Sequence, residues 1–386
     1  MTIPIERTDV VDLPEQLRPA IEAGIADGDR LGDIPVALHD TLRESGAFRL
    51  LTPRELGGSE TPLTTTLSVY EHFGRIDGSV GLLVWNANFG FIGALLNDTG
   101  LAHIWKTGTD PVLANSGVPS TAVPVEGGYR VTGQWKIVTG IHRADWLVVV
   151  GVVSVDGQPR LTASGAPDVR IFVIPTDQVD IRDTWDVTGM RATGSRDAVG
   201  DAIFVPSDLA APLDAPARID RPLYRGFLPT LVFAGCSAVT LGVAAHAIDE
   251  TANLVRAKPA MAGGTVADAG RTQYLIAKAK TSVDAARLLL LSAAGDLQNA
   301  AEHNTPVTLD MRAALRAAMT HAADVSRVAL TDMYQLAGSS ALYRSNPIER
   351  LFRDGMAATQ HANQSAVFME AAGRVRLGLD PGLPLF

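Results

Sequence analysis

The residue types that could do chemistry fall in three stretches. Toward the C-terminal end, Arg350, Arg353 and Asp354 are followed by His361, an imidazole whose ordinary pKa lies near neutrality, so it can give or take a proton. In residues 127–140, Thr139 carries a hydroxyl that donates or accepts by rotating. In residues 185–197, a glycine-containing turn with Arg191, Thr193 and Ser195 offers backbone N–H groups and a guanidinium suited to an anion. Each has a plainer reading. His361 can be a helix-face histidine bonded to a backbone carbonyl, Thr139 an ordinary β-branched strand residue, and Arg191 a solvated side chain on a hairpin turn.

The elements that must position these groups are readable nearby. Gly338 stands where a left-handed helix C-cap is expected. Asn346 then makes an N-cap, Pro347 suits the first helical position, and Glu349 follows three residues after the cap. Ile348, Leu351, Phe352 and Met356 recur at helical spacing, and His361 is expected on the same helix, two turns beyond Arg353. Upstream, residues 13–106 read as helices with a break at 51–58. Asp77 opens an apolar helix expected to run through Leu96, carrying Trp85, Asn86, Asn88 and Phe89. Amides inside an apolar run need partners: they either bridge neighbouring helices or face a pocket. Residues 111–213 change texture, with short β-rich runs between Gly, Pro and Asp, which predicts a β domain. From about 222 the chain reads as helical again, and Leu288, Leu289, Leu290 and Leu291 are expected in a bundle core.

Bulk properties narrow the classes. At 386 residues the chain can bury a large core divided among two or three subdomains. A net charge of -9 argues against a general nucleic-acid binder. A single cysteine, Cys236, excludes an intrachain disulfide and a cysteine-rich metal site. The histidines show no metal-ligand spacing, so no metal is expected. The start of the sequence shows no secretory pattern, which leads to the expectation of a cytoplasmic protein. Residues 230–248 carry no formal charge, but their Ser, Thr, Cys, Ala and Gly content and the lack of aromatic flanks favour a buried bundle helix over a membrane span. No Gly-x-Gly-x-x-Gly, Walker or Gly-x-Ser-x-Gly sequence occurs, so a nicotinamide domain is not expected.

Gln335-x-x-Gly338-Ser339, a short loop, and Pro347-x-x-Arg350-x-x-Arg353-Asp354 together resemble the C-terminal signature of the acyl-CoA dehydrogenase superfamily. Dehydrogenases keep a catalytic Glu just past Arg-Asp, and nine residues beyond Arg353 that position holds Ala362, with His361 one place before it. This replacement resembles the flavin-dependent monooxygenase branch, which includes the oxygenase components of hydroxyphenylacetate hydroxylase and dibenzothiophene monooxygenase. The resemblance implies an α+β acyl-CoA dehydrogenase fold: an N-terminal α-helical domain over 1–108, a central β-sandwich or barrel domain over 109–215, and a C-terminal four-helix bundle domain over 216–386. It implies a flavin, FMN or FAD, used in reduced form. Thr139 would lie against flavin N5 with Trp135 nearby, and Arg191, Thr193 and Ser195 near the isoalloxazine. Arg256 would reach a flavin phosphate, and Gln335, Gly338 and Ser339 a neighbouring subunit's cofactor. Trp85, Asn86, Asn88 and Phe89 would face a small-molecule substrate.

The same resemblance implies a homotetramer supplied by a separate flavin reductase. The Phe-Gly usual after the phosphate-binding Arg is replaced by Ala257-Lys258, so either flavin fits. Aromatic, sterol-derived, sulfur-containing and amino-sugar substrates each fit the branch. Two other functions stay in view. Acyl-CoA dehydrogenation needs a carboxylate beside the thioester, yet the alternative position for that Glu holds Pro229. An inactive flavin-binding subunit is the second.

Overall fold

The computed structural model describes residues 7–106, 110–163, 165–213, 216–225, 230–261, 263–383 and 386. Among these, helices come first: α1 (Arg7–Leu31), α2 (Val36–Glu44), α3 (Leu63–Ile76), α4 (Gly78–Ala87) and α5 (Asp98–Ile104). The strands follow as β1 (Leu113–Val125), β2 (Gly128–Val138), β3 (Trp146–Val155), β4 (Gln158–Pro159), β5 (Val169–Pro175), β6 (Asp180–Arg182), β7 (Arg196–Pro206) and β8 (Ala210–Pro212). Helices close the chain: α6 (Thr230–Phe233), α7 (Gly235–Ala257), α8 (Gly270–Glu302), α9 (Leu309–Ala337), α10 (Pro347–Ala358) and α11 (Ala366–Arg376). The expected boundary at 108/109 lies outside the described residues, and that at 215/216 lies at their edge.

The sheet runs β6-β7-β2-β1-β3-β5-β8, with β4 on β3. Its pairings are antiparallel except β1 with β3. The β2–β7 ladder slips between Trp135 and Val138, and Ile137 takes a positive φ of 57° there. A bulge of this kind re-aims the residues that follow it, here Val138 and Thr139. Asp197 fixes the bulge by accepting the Ile137 N–H at 3.1 Å.

The helices pack closely where side chains vanish. A Cβ on Gly242 of α7 would stand 2.1 Å from the Glu71 carbonyl oxygen of α3, and one on Gly74 of α3 would stand 2.5 Å from that of Val239. The two backbones therefore touch. One hydrophobic core links α1, the sheet, α7 and α10, with Tyr70, Phe73, Trp135 and Phe172 among its fully buried side chains.

Three local expectations need correction. The apolar helix opened by Asp77 stops at Ala87 instead of running to Leu96. Asn88 turns its side chain onto the backbone, taking the Leu50 N–H at 2.6 Å and giving to the Ala47 and Val84 carbonyls at 2.7 Å each. Of the leucine run on α8, Leu290 is buried but Leu288 and Leu289 are exposed, since consecutive helical residues point to different faces. Gly338 caps α9 with positive φ, yet its ψ of -139° places it outside the left-handed helical region.

Candidate active site

The Arg-x-x-Arg-Asp residues join the three parts of the molecule. Asn346 caps α10 by accepting the Ile348 N–H at 3.0 Å, and α10 then presents three side chains to its neighbours. Arg350 pairs with Asp77, the residue whose side chain caps α4 through the Val80 N–H at 2.9 Å. Arg353 binds Glu349 on its own helix and donates to the Thr188 carbonyl of the loop before β7. Asp354 accepts the Met190 N–H at 2.6 Å. Met190 holds a left-handed φ of 55°, and a Cβ on Gly189 would come within 2.2 Å of the Arg353 carbonyl oxygen. The loop is therefore clamped against α10 by backbone approach and by a buried carboxylate. Burial, then the nearby Asp77 carboxylate, pushes the Asp354 pKa up to about 7.

What the clamp positions is a chain of hydroxyls. Thr193 donates to the Met190 carbonyl at 2.8 Å, its oxygen lies 2.7 Å from that of Ser195, and Ser195 lies 2.9 Å from Thr139. The Gly140 N–H adds a bond to the Thr193 carbonyl at 3.0 Å. All three hydroxyl side chains are buried. The structure thus brings the two central stretches together, 56 residues apart in sequence between Thr139 and Ser195.

A second group of candidate residues is built by α4 and the turn after α10. α10 ends at Ala358, so His361 lies beyond the helix instead of on it, as the N-cap of a short 3-10 turn over Ala362–Gln364. Its ring meets Trp85 of α4 edge to face, centroids 4.9 Å apart at 78°. Trp85 is fixed in turn by donating to the Val232 carbonyl at 2.7 Å. Gln364 anchors the turn through the Ala358 carbonyl at 3.0 Å and the Thr240 hydroxyl at 3.2 Å. Burial pushes the His361 pKa down to about 4, so the ring is neutral at ordinary pH. Beside Trp85, Asn86 keeps a buried side-chain oxygen without a hydrogen-bond partner. Phe89 is half-buried against Phe91 at 5.1 Å.

Other expected site residues make contacts within the chain or lie on its surface. Trp135 is fully enclosed in the sheet, donating to the Ser120 hydroxyl at 3.0 Å, with Gly133 and Gly200 leaving room for its ring. Arg191 turns its guanidinium to the Asp29 and Val187 carbonyls at 2.7 Å each, which ties the loop to α1. Arg256, Gln335, Gly338 and Ser339 are exposed on the outside of this chain. Lys258, noted in the sequence only as part of the replacement for Phe-Gly, links two of these regions. It donates to the Ala337 carbonyl at 2.7 Å and the Ser340 hydroxyl at 3.1 Å, joining the end of α7 to the turn after α9. Asp77 was marked as a helix start, but nothing in its spacing pointed to Arg350, 273 residues away. Pro229 lies outside the described residues.

The hydroxyl chain, the Asn86 amide oxygen and the His361 imidazole offer both donors and acceptors. Groups of this kind suit a heteroaromatic ring system such as an isoalloxazine, whose N5 changes between acceptor and donor with redox state. Among the described residues, no hydrogen bond or ion pair joins His361 to a carboxylate.

Comparison with known proteins identifies the family. Residues 15–103 match the family described as acyl-CoA dehydrogenase, N-terminal domain, and residues 234–366 match acyl-CoA dehydrogenase, C-terminal domain. The indole-3-acetate monooxygenase of Pseudomonas putida is 31% identical, with 94% of each chain covered. The crystal structure of the HsaA monooxygenase from M. tuberculosis superposes with a TM-score of 0.89 at 26% identity, over 98% of this chain and 100% of that one. XiaF from Streptomyces sp., solved with FADH2 and glycerol, gives 0.88 at 25%, over 98% and 97%. The relatives are monooxygenases, which favours flavin-dependent oxygenation over acyl-CoA dehydrogenation. No helix among the described residues is long and apolar enough to cross a membrane.

Proposed function

We propose, from the premise that this chain belongs to the acyl-CoA dehydrogenase superfamily and to its flavin-dependent monooxygenase branch, that it oxygenates a small aromatic substrate using O2 and a reduced flavin, FADH2 or FMNH2, delivered by a separate reductase. One observation carries the reading. His361 faces Trp85 at 4.9 Å, and Ala362 stands where a dehydrogenase keeps its carboxylate. When bound, the flavin supplies the redox chemistry. The polypeptide supplies orientation and a dry setting.

In this reading Thr139 meets the N5 edge of the flavin, and its bonds to Ser195 and through it to Thr193 hold its hydroxyl in place. Trp135 backs that strand from inside the sheet, and Arg191 fixes the loop that carries Thr193 and Ser195. Trp85, Asn86, Phe89 and His361 face the substrate, while Asn88 supports them by ordering the end of α4. Arg256, Gln335, Gly338 and Ser339, exposed on a single chain, meet the phosphate end of a flavin shared between subunits of a homotetramer. The aromatic substrate class rests on the Trp85 and Phe89 rings and on the relative that acts on indole-3-acetate. A cytoplasmic site of action goes with this reading.

Stopped-flow mixing of the protein with anaerobically reduced flavin, an indole or phenol, and O2 tests it. Hydroxylated product and a lag before oxidised flavin appears are the expected outcome. Bleaching of bound oxidised flavin by an acyl-CoA, with no oxygenated product, would overturn it.

A further inference from the structure

We propose that His361 serves the site as a fixed hydrogen-bond donor through Nε2–H, and not as the group that takes or gives a proton. The assignment comes from the turn in which the residue sits. His361 has an extended backbone, φ -61° and ψ 133°, and its side chain caps the 3-10 turn by accepting the Asn363 N–H on Nδ1 at 3.2 Å. A backbone amide can only donate. Nδ1 must therefore present its lone pair, and the single proton of a neutral imidazole is left on Nε2. Flipping the ring would set a C–H against that N–H and lose the cap.

The ring is also held from its sides. Trp85 packs edge to face against it, and Trp85 is itself tied to the Val232 carbonyl. The backbone on either side is pinned by the His361 N–H to the Ala358 carbonyl at 3.1 Å and the Gln364 N–H to the His361 carbonyl at 2.9 Å. Acting as a base through Nε2 would need a lone pair there, which this tautomer lacks. Accepting a second proton would place it on Nδ1, against the Asn363 N–H. Either step requires giving up the cap. Burial opposes the cation as well.

The group facing Nε2–H must then be an acceptor, such as a hydroxyl or carbonyl oxygen of the substrate. On α4, the Asn86 side-chain oxygen is likewise without a partner. The part His361 plays in turnover rests on the oxygenase reading. Its tautomer is a property of the polypeptide and can be measured without turnover.

The experiment is long-range 1H–15N NMR of the histidine rings in uniformly 15N-labelled, flavin-free protein, with His361→Gln identifying the signal by its loss. The expected result is a pyridine-type Nδ1 and a pyrrole-type Nε2 that persist from pH 8 down to about 5. A ring protonated on both nitrogens at pH 6, or one carrying its proton on Nδ1, overturns the proposal. Product formed per reduced flavin consumed then tests the donor role. His361→Gln, which returns an N–H near the Nε2 position, should stay within about tenfold of the parent, while His361→Leu should fall by about a hundredfold, the size of a positioned proton or hydrogen-bond contribution. Equal loss in both variants overturns the donor role. If the parent protein itself forms no product, the oxygenase reading fails while the NMR result still decides the tautomer.

Discussion

Asp354 and His361 stand at the two ends of one short stretch, and burial drives both toward their uncharged forms in opposite directions on the pH scale. Asp354 is pushed up to about 7 and His361 down to about 4. Their surroundings differ more than their shifts. Asp354 lies in a cluster where each group answers another: its oxygens meet the Met190 N–H and the Arg350 guanidinium, and Arg350 answers Asp77. His361 spends one nitrogen on a local cap, and among the described residues no hydrogen bond is made by the other; the Asn86 oxygen is also without a partner. The family signature thus builds the frame. A polar group with all its partners inside the protein holds structure, and one without them is available to a ligand.

The hardest test of that division is Arg350→Ala. It leaves the Asp77 and Asp354 carboxylates buried without their cation, and removing one member of a buried ion pair costs about 3–5 kcal/mol. Chemical denaturation should show a loss of that size. A loss below about 1 kcal/mol would mean the cluster is not the frame described here.

A second contrast sharpens it within a single helix end. Asn88→Ala strips partners from the Leu50 N–H and the Ala47 and Val84 carbonyls, which should cost at least about 2 kcal/mol by the same measurement. Asn86→Ala removes an oxygen with no partner and should leave stability within about 0.5 kcal/mol while weakening flavin or substrate binding. Equal effects on stability would erase the distinction between spent and open amides.

The smallest effect is in the pH dependence. The folded-state pKa of Asp354 is raised, so the folded protein holds a proton the unfolded chain has released. Its contribution makes stability fall as pH rises from its ordinary 3.8 toward about 7. His361 is lowered, so its contribution makes stability rise with pH between about 4 and its ordinary 6.5. Asp354→Asn keeps an acceptor for the Met190 N–H and removes the falling limb. Thermal unfolding across pH 4–8 should therefore show stability climbing more steeply toward neutrality in the variant than in the parent. An unchanged pH profile would mean Asp354 is ionised throughout.

Much of the frame was readable before any coordinates. The Asn346-Pro347 start of α10, the Asp77 start of α4, the strand region over 111–213 and the return to helices all follow from rules that act over a few residues: caps, proline geometry and periodicity. The hydroxyl of Thr139 and the imidazole of His361 stood out by type and by the motifs around them. What local rules missed has one common character. Asn88 ends α4 early because of carbonyls in another segment, Arg191 donates to the Asp29 carbonyl near the end of α1, and Trp135 is held by Ser120 and by room left at two glycines on paired strands.

By itself the sequence determined where most helices and strands begin, and that Ala362, beside His361, stands where a carboxylate is expected, because backbone caps, turn glycines and side-chain identity are set within a few residues. Only the tertiary structure decided which polar groups remain open. Whether a buried atom is satisfied depends on partners up to 273 residues distant, as Arg350 is from Asp77, and no local pattern encodes that distance.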